Sequence, residues 1–140
     1  MSEEKKKIKY DNLKKATRGL EKAILKCESL KSNPELREYI RDSAIQRFEF
    51  TFELAWKTLK RFLEIYMLEN VDSLIASNLF RMGAESGLIQ NSEFWLEFKR
   101  NRNLTSYTYD EDLAEKVYEN SKIFLVEVKY FIKKLEEKIV

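Results

Sequence analysis

The chain has 140 residues, 44% hydrophobic and 36% charged, with three glycines, one proline, one cysteine and no histidine. That apolar content argues against disorder and the scarcity of turn residues against a β-sandwich, so residues 1–140 are expected to form one all-α domain. The 26 basic and 24 acidic residues leave a net charge of +2, which neither demands nor forbids a nucleic-acid partner, because a basic face can sit on a near-neutral protein.

The first helix is expected from about Ile8 to Leu30, on the apolar stripe Leu13, Ala16, Leu20, Ala23, Ile24, Cys27 and Leu30. Cys27 lies on that stripe and reads as a small core residue. Being alone, it forms no internal disulfide and suits a reducing compartment. The run Lys5-Lys6-Lys7 ahead of the helix reads as a solvated end. Asn33 as N-cap and Pro34 at the first helical position start a second helix, to about Leu68. Its residues Ile45, Phe48, Phe52, Ala55, Leu59, Phe62 and Tyr66 recur in steps of three and four, a bundle seam. Phe48, Phe50, Phe52, Leu54 and Trp56 also alternate as a strand would, but the longer pattern decides for helix. Phe50 and Leu54 then form a second apolar face, which makes this the central helix or part of a subunit interface.

Asp72 is the expected cap of a third helix over about Ser73 to Ser86, with Leu74, Ile75, Leu79 and Met82 inward and Gly87 as its stop. Asn91 or Ser92 starts a fourth, carrying Phe94, Trp95 and Phe98. Thr108 and Glu111 make a capping box for a fifth helix to about Lys138, burying Leu113, Val117, Phe124, Val128, Phe131, Leu135 and Ile139. Short connections make successive helices antiparallel, which predicts an up-and-down four-to-five-helix bundle.

The missing histidine removes Ser-His-Asp and Cys-His triads and the usual ligand sets of zinc and haem. No compact acidic loop suggests a Mg²⁺ site, so neither metal nor cofactor is expected. No apolar run approaches the roughly 18–20 residues that cross a bilayer, and the first residues are charged, so the expected location is cytoplasmic.

The stretch from Arg100 to Asp110 breaks the pattern. Carrying the Trp95–Phe98 stripe forward reaches Arg102, and a guanidinium facing a core or interface needs an anion or several acceptors. Asn103, Thr105, Ser106 and Thr108 are weak helix formers, so a break is expected before the last helix. On an unbroken helix Arg102 and Tyr107 would stand about 140° apart, whereas a break lets them converge. Either Arg102 pairs with a carboxylate and the hydroxyls cap helix ends, or Arg102, Asn103, Ser106 and Tyr109 gather into a pocket for a phosphate or nucleotide. Glu49, Glu53 and Lys57 lie at four-residue intervals, with Glu53 and Lys57 oriented as a helical ion pair. A structural or interface role fits them better than a metal site.

The run from Gln46 to Lys60 (QRFEFTFELAWKTLK), then Gly87-Leu88-Ile89 with Trp95, then Arg102-Asn103-Leu104-Thr105-Ser106 and Tyr109-Asp110-Glu111, resembles the nucleotidyltransferase substrate-binding protein family, part of the HEPN superfamily of helical bundles. The resemblance runs in order along nearly the whole chain. It implies a homodimer and a separately encoded small nucleotidyltransferase partner, in pairs resembling toxin–antitoxin modules. Many HEPN proteins are metal-independent ribonucleases with an Arg-x4-His motif, often followed by x-Tyr. Here Arg102 matches the arginine, Tyr109 the final tyrosine, and Tyr107 stands where the histidine belongs. A phenol, ionising near pH 10, is a poor general base at neutral pH.

The resemblance therefore implies a non-catalytic subunit that binds nucleotide or RNA, with Arg102 and Tyr107 as the only catalytic candidates. The alternative is a ribonuclease toxin working with Tyr107, regulated by attachment of a nucleotide to Tyr109. A third reading makes the polar cluster purely structural.

Overall fold

The computed structural model describes residues 8–67 and 75–139. These residues form five α-helices and no strand: α1 (Asp11–Glu28), α2 (Pro34–Tyr66), α3 (Ala76–Glu85), α4 (Ser92–Asn103) and α5 (Glu111–Lys138), with a 3-10 turn (Thr105–Tyr107) before the last. The fold is an all-α helical bundle, as expected. The Lys5–Lys7 run, the end of the second helix at Leu68, and Asp72, Ser73 and Leu74 of the third lie outside the described residues.

Local chemistry sets the helix ends. The Asn33 side chain accepts a hydrogen bond from the Leu36 N–H, and Pro34 opens α2 where no N–H is needed. Asn91 caps α4 by accepting from the N–H groups of Glu93 and Phe94. At the end of α3, Gly87 takes φ 78°, a conformation costly for a side-chain-bearing residue, and the Leu88 N–H reaches back to the Gly83 carbonyl.

Two expected starts are corrected. The cap of α5 is Asp110, whose carboxylate accepts from the Leu113 N–H, whereas the Thr108 hydroxyl donates to the Thr105 carbonyl. The 3-10 turn thus uses the threonine, and the helix begins two residues later than the capping box implied. Ile75, expected inward, is the residue preceding α3 and is exposed.

The α2 seam is buried from Ile45 to Phe62, and Tyr66 at its exposed end stacks on Phe62. Phe50 is exposed and Leu54 half-buried, so the strand-like alternation is two faces of one helix. Helix α2 is central, packing against each of the other four. Trp95 of α4 is fully buried, with ring centroids 5.5–6.2 Å from Phe52, Phe80, Phe98, Phe124 and Phe131. Most of these contacts are edge-to-face, each worth about 0.5–1.5 kcal/mol beyond its burial. Phe94, expected on the same side, is exposed.

A clamp of ion pairs joins the start of α2 to the start of α5. Arg41, 2% exposed, donates to Glu111 at 2.8 Å, to Glu115 at 3.2 Å and to its neighbour Asp42 at 3.0 Å. Arg37 adds a two-point contact to Glu115 at 2.6 and 3.2 Å. A guanidinium this buried is tolerated only because carboxylates surround it. The Arg37 hydrogen bond, opposed by burial and reinforced by Arg41, holds the Glu115 carboxyl below its ordinary pKa.

The folded protein therefore binds the Glu115 proton more weakly than the unfolded chain, whose glutamates titrate near pH 4.3. The resulting stabilisation is complete above that pH and is lost as pH falls through the depressed folded value. Urea denaturation of Glu115→Gln at pH 7 and at stepwise lower pH is expected to show a less stable protein that loses less further stability on acidification than the parent.

Candidate functional site

A cavity of about 330 Å³ opens where the second half of α2 faces α3 and α4. Phe52, Ala76, Leu79 and Phe80 supply apolar wall, Trp56 an aromatic face, and Lys60, Lys99, Arg102 and Asn103 polar groups. Phe52 and Phe80 belong at the same time to the Trp95 cluster, so the core fixes one wall of the cavity.

The cations reach the cavity through helical spacing. Lys99 and Arg102 are three apart on α4 and share a face, as do Trp56 and Lys60 on α2. Arg102, at 30% side-chain exposure, donates from Nε to Glu53 Oε1 at 2.8 Å and lies 3.5 Å from Glu49. The other oxygen of Glu53 accepts from the Trp56 indole N–H at 3.2 Å. Glu53 therefore reaches across to α4 instead of pairing down its own helix with Lys57, which lies beside the Trp56 ring.

The structure thus places Arg102 beside carboxylates and in the wall of a cavity. The stripe runs differently from expectation. Asn101, not Arg102, follows Trp95 and Phe98 into the core, where its amide donates to the Glu97 carbonyl and carboxylate. Arg102 falls one position round the helix, at the cavity rim.

The remaining sequence candidates separate. Asn103 lines the cavity with Arg102. Ser106, Tyr107 and Tyr109 do not: they sit on or just after the 3-10 turn, and Tyr109 is 84% exposed. The expected break is present, in the form of that turn. Among the described residues no group of three or more His, Cys, Asp or Glu side chains is disposed to hold a metal ion. No helix among them is long and apolar enough to cross a membrane.

Sequence reasoning missed Trp56, Lys60 and Lys99 as cavity residues and Arg41 as a buried cation. Arg41 had a signal: it stands four before Ile45 and seven before Phe48, on the same stripe. Lys99 and Lys60 had only their spacing to Arg102 and Trp56, which becomes a site once α2 and α4 are packed together.

A family model described as "nucleotidyltransferase substrate binding protein like" matches residues 8–137. A Haemophilus influenzae protein described as a probable ribonuclease HepT is 35% identical over 98 residues, a stretch that spans 68% of this chain and 66% of that protein. Among solved structures, Haemophilus influenzae HI0074, reported to reveal the fold of a substrate binding domain of a nucleotidyltransferase, aligns with a TM-score of 0.84 at 27% identity over 91% of this chain and 99% of that one. A crystal structure of a Thermus thermophilus protein aligns with a TM-score of 0.63 at 28% identity, covering 83% of this chain and 98% of its own.

Partly exposed ion pairs contribute about 1 kcal/mol or less. Arg102→Ala is therefore expected to lower unfolding free energy in urea by no more than that, leaving a folded protein in which any larger functional loss is separable from stability.

Proposed function

The chain belongs to the nucleotidyltransferase substrate-binding-protein-like family, and from that premise we propose that it is a non-catalytic subunit that holds a nucleotide or other phosphate-bearing substrate for a separately encoded nucleotidyltransferase, as a homodimer in a toxin–antitoxin-like pair. The observation that carries this reading is the α2–α3–α4 cavity, which sets the Trp56 ring and an apolar wall beside Arg102, Lys60 and Lys99. An aromatic face suits a base, and a guanidinium suits phosphate oxygens. Glu49 and Glu53 hold Arg102 in place, and an incoming phosphate competes with them for it. Asn103 adds an amide at the rim. Ser106 and Tyr109 would contact a ligand only if it extended from the cavity toward the 3-10 turn. The exposed Phe50 side of α2 supports a subunit interface.

Co-purification with the nucleotidyltransferase encoded beside it tests partnership, and calorimetric titration with ATP tests the cavity. Arg102→Ala is expected to weaken ATP binding at least tenfold, and Glu53→Gln to strengthen it several-fold by removing the competing charge. Failure to capture the partner, together with ATP affinity indifferent to both substitutions, rejects the proposal.

A second reading is favoured by the relative described as a probable ribonuclease. In it the chain cleaves RNA using Arg102 and Tyr107, and the exposed Tyr109 is the point of control. The Tyr109 hydroxyl would attack the α-phosphorus of ATP, losing its proton, forming the phosphodiester to tyrosine and expelling pyrophosphate. Under this reading metal-free incubation degrades RNA in an Arg102-dependent way, and incubation with partner and ATP raises the intact mass by one adenylyl group unless Tyr109 is replaced by Phe. Intact RNA and unchanged mass leave the binding-subunit reading alone.

A further inference from the structure

Beyond Asp11 in its first turn, helix α1 sorts its charges by side. Toward α5, Glu21 pairs with Lys129, Lys14 with Glu136, and Glu28 with Lys122 and the Tyr118 hydroxyl. The cations Lys15, Arg18, Lys22 and Lys26 instead fall within an arc of about 80°, given the angular period of an α-helix. With Arg47 and Ser43 of α2 they line a groove of about 500 Å³ between the two helices, which shares no residue with the Arg102 cavity.

None of the groove's lining residues carries a carboxylate. None of its five cations makes an ion pair among the described residues, whereas Arg37, Arg41, Arg61, Arg100 and Arg102 each do. Arg47 reaches the groove across Gly19, where a Cβ would lie 2.7 Å from a guanidinium nitrogen. A small residue on α1 therefore admits a fifth positive charge to a place that already holds four. Gathering like charges without counter-charge opposes folding, and a bound anion relieves that repulsion.

Geometry narrows the anion. Lys15 to Lys26 spans about 16 Å at 1.5 Å per residue, too long for one phosphate group, and the cations recur every 4.5–6 Å or so along it. Ala23 and Ile40 are the only apolar lining residues and no aromatic is present. The groove thus lacks both a platform for stacking bases and the apolar anchor that a protein interface uses. What it offers is a row of charges, suited to reading a repeating backbone and indifferent to sequence. We propose that the α1–α2 groove binds the phosphodiester backbone of a single nucleic-acid strand. This inference stands apart from the nucleotidyltransferase-subunit reading.

The test is fluorescence anisotropy of the full chain with labelled 12-mers of uridylate and thymidylate across a salt series. About five phosphate contacts on a single strand give a slope of log affinity against log salt near −3.5, or roughly a 100-fold loss between 50 and 200 mM salt. Removing two charges in K22Q/K26Q is expected to flatten the slope by about 1.4. K116Q/K133Q removes the same charge from exposed positions on α5 and is expected to change nothing, which separates the groove from net charge. All four lysines are exposed, and matching circular-dichroism melts verify folding. Binding of either 12-mer with this pattern carries the proposal. It is overturned if neither 12-mer binds at 50 mM salt, if both double variants lose equally, or if oligoglutamate of matching charge displaces the 12-mers completely at equal concentration.

Discussion

The packing of Trp95 against five phenylalanine rings from α2, α3, α4 and α5 is the constraint on which the rest of the structure depends. No single contact in the cluster is strong, but three of the five rings meet the indole edge-on and all are buried, so none can reorient without disturbing the others. Two of them, Phe52 and Phe80, have one side in this cluster and the other on the cavity. The cavity wall therefore has the rigidity of the core, although its opening faces solvent. Arg102 and Lys99, on the same short helix as Trp95, receive their positions from it.

Charge is organised with equal economy. Most arginines of the described residues are matched to carboxylates, and the matches tie helices together: Arg41 and Arg37 join α2 to α5, and Arg102 joins α4 to α2. These pairs differ in surroundings. Arg41 is sealed from solvent, where loss of its partners would strand a charge. Arg102 is partly open, so its carboxylates can be exchanged for another anion at modest cost. Burial alone thus separates a structural cation from one suited to ligand exchange, even though both are arginines held by glutamates.

Much of this was legible in the sequence. Asn33-Pro34, Gly87 and Asn91 announce their turns because cap and left-handed positions are local chemistry, and the α2 seam is readable because burial repeats with the helical period. The errors fall where two local solutions compete. Thr108 was read as the cap of α5, but Asp110 takes that role because the 3-10 turn engages the threonine hydroxyl. Asn101 and Arg102 both continued the Trp95–Phe98 stripe, at steps of three and four from Phe98. Tertiary packing selected the amide, whose Nδ2 donates to the Glu97 carbonyl and carboxylate, and left the guanidinium at the rim. Arg102 and Asn103 were visible as a break in pattern. Their convergence with Trp56, Lys60 and Lys99 was not, because it exists only after α2 and α4 have packed.

The ion pairs at the two ends of the segment from Arg102 to Glu111 have a mechanical meaning. Arg102 is moored to α2 through Glu53, and Glu111 is moored to α2 through Arg41, over three helical turns away along the same rod. Ser106, Tyr107 and Tyr109 hang between these moorings, displayed to solvent on a span whose ends share one rigid support. Such a span samples few conformations despite its exposure, since both anchors must slip before it can travel far. The moorings are unequal, however. The cation at one end is sealed and the cation at the other partly open, so an anion arriving from solvent reaches the Arg102 mooring more readily than the Arg41 one.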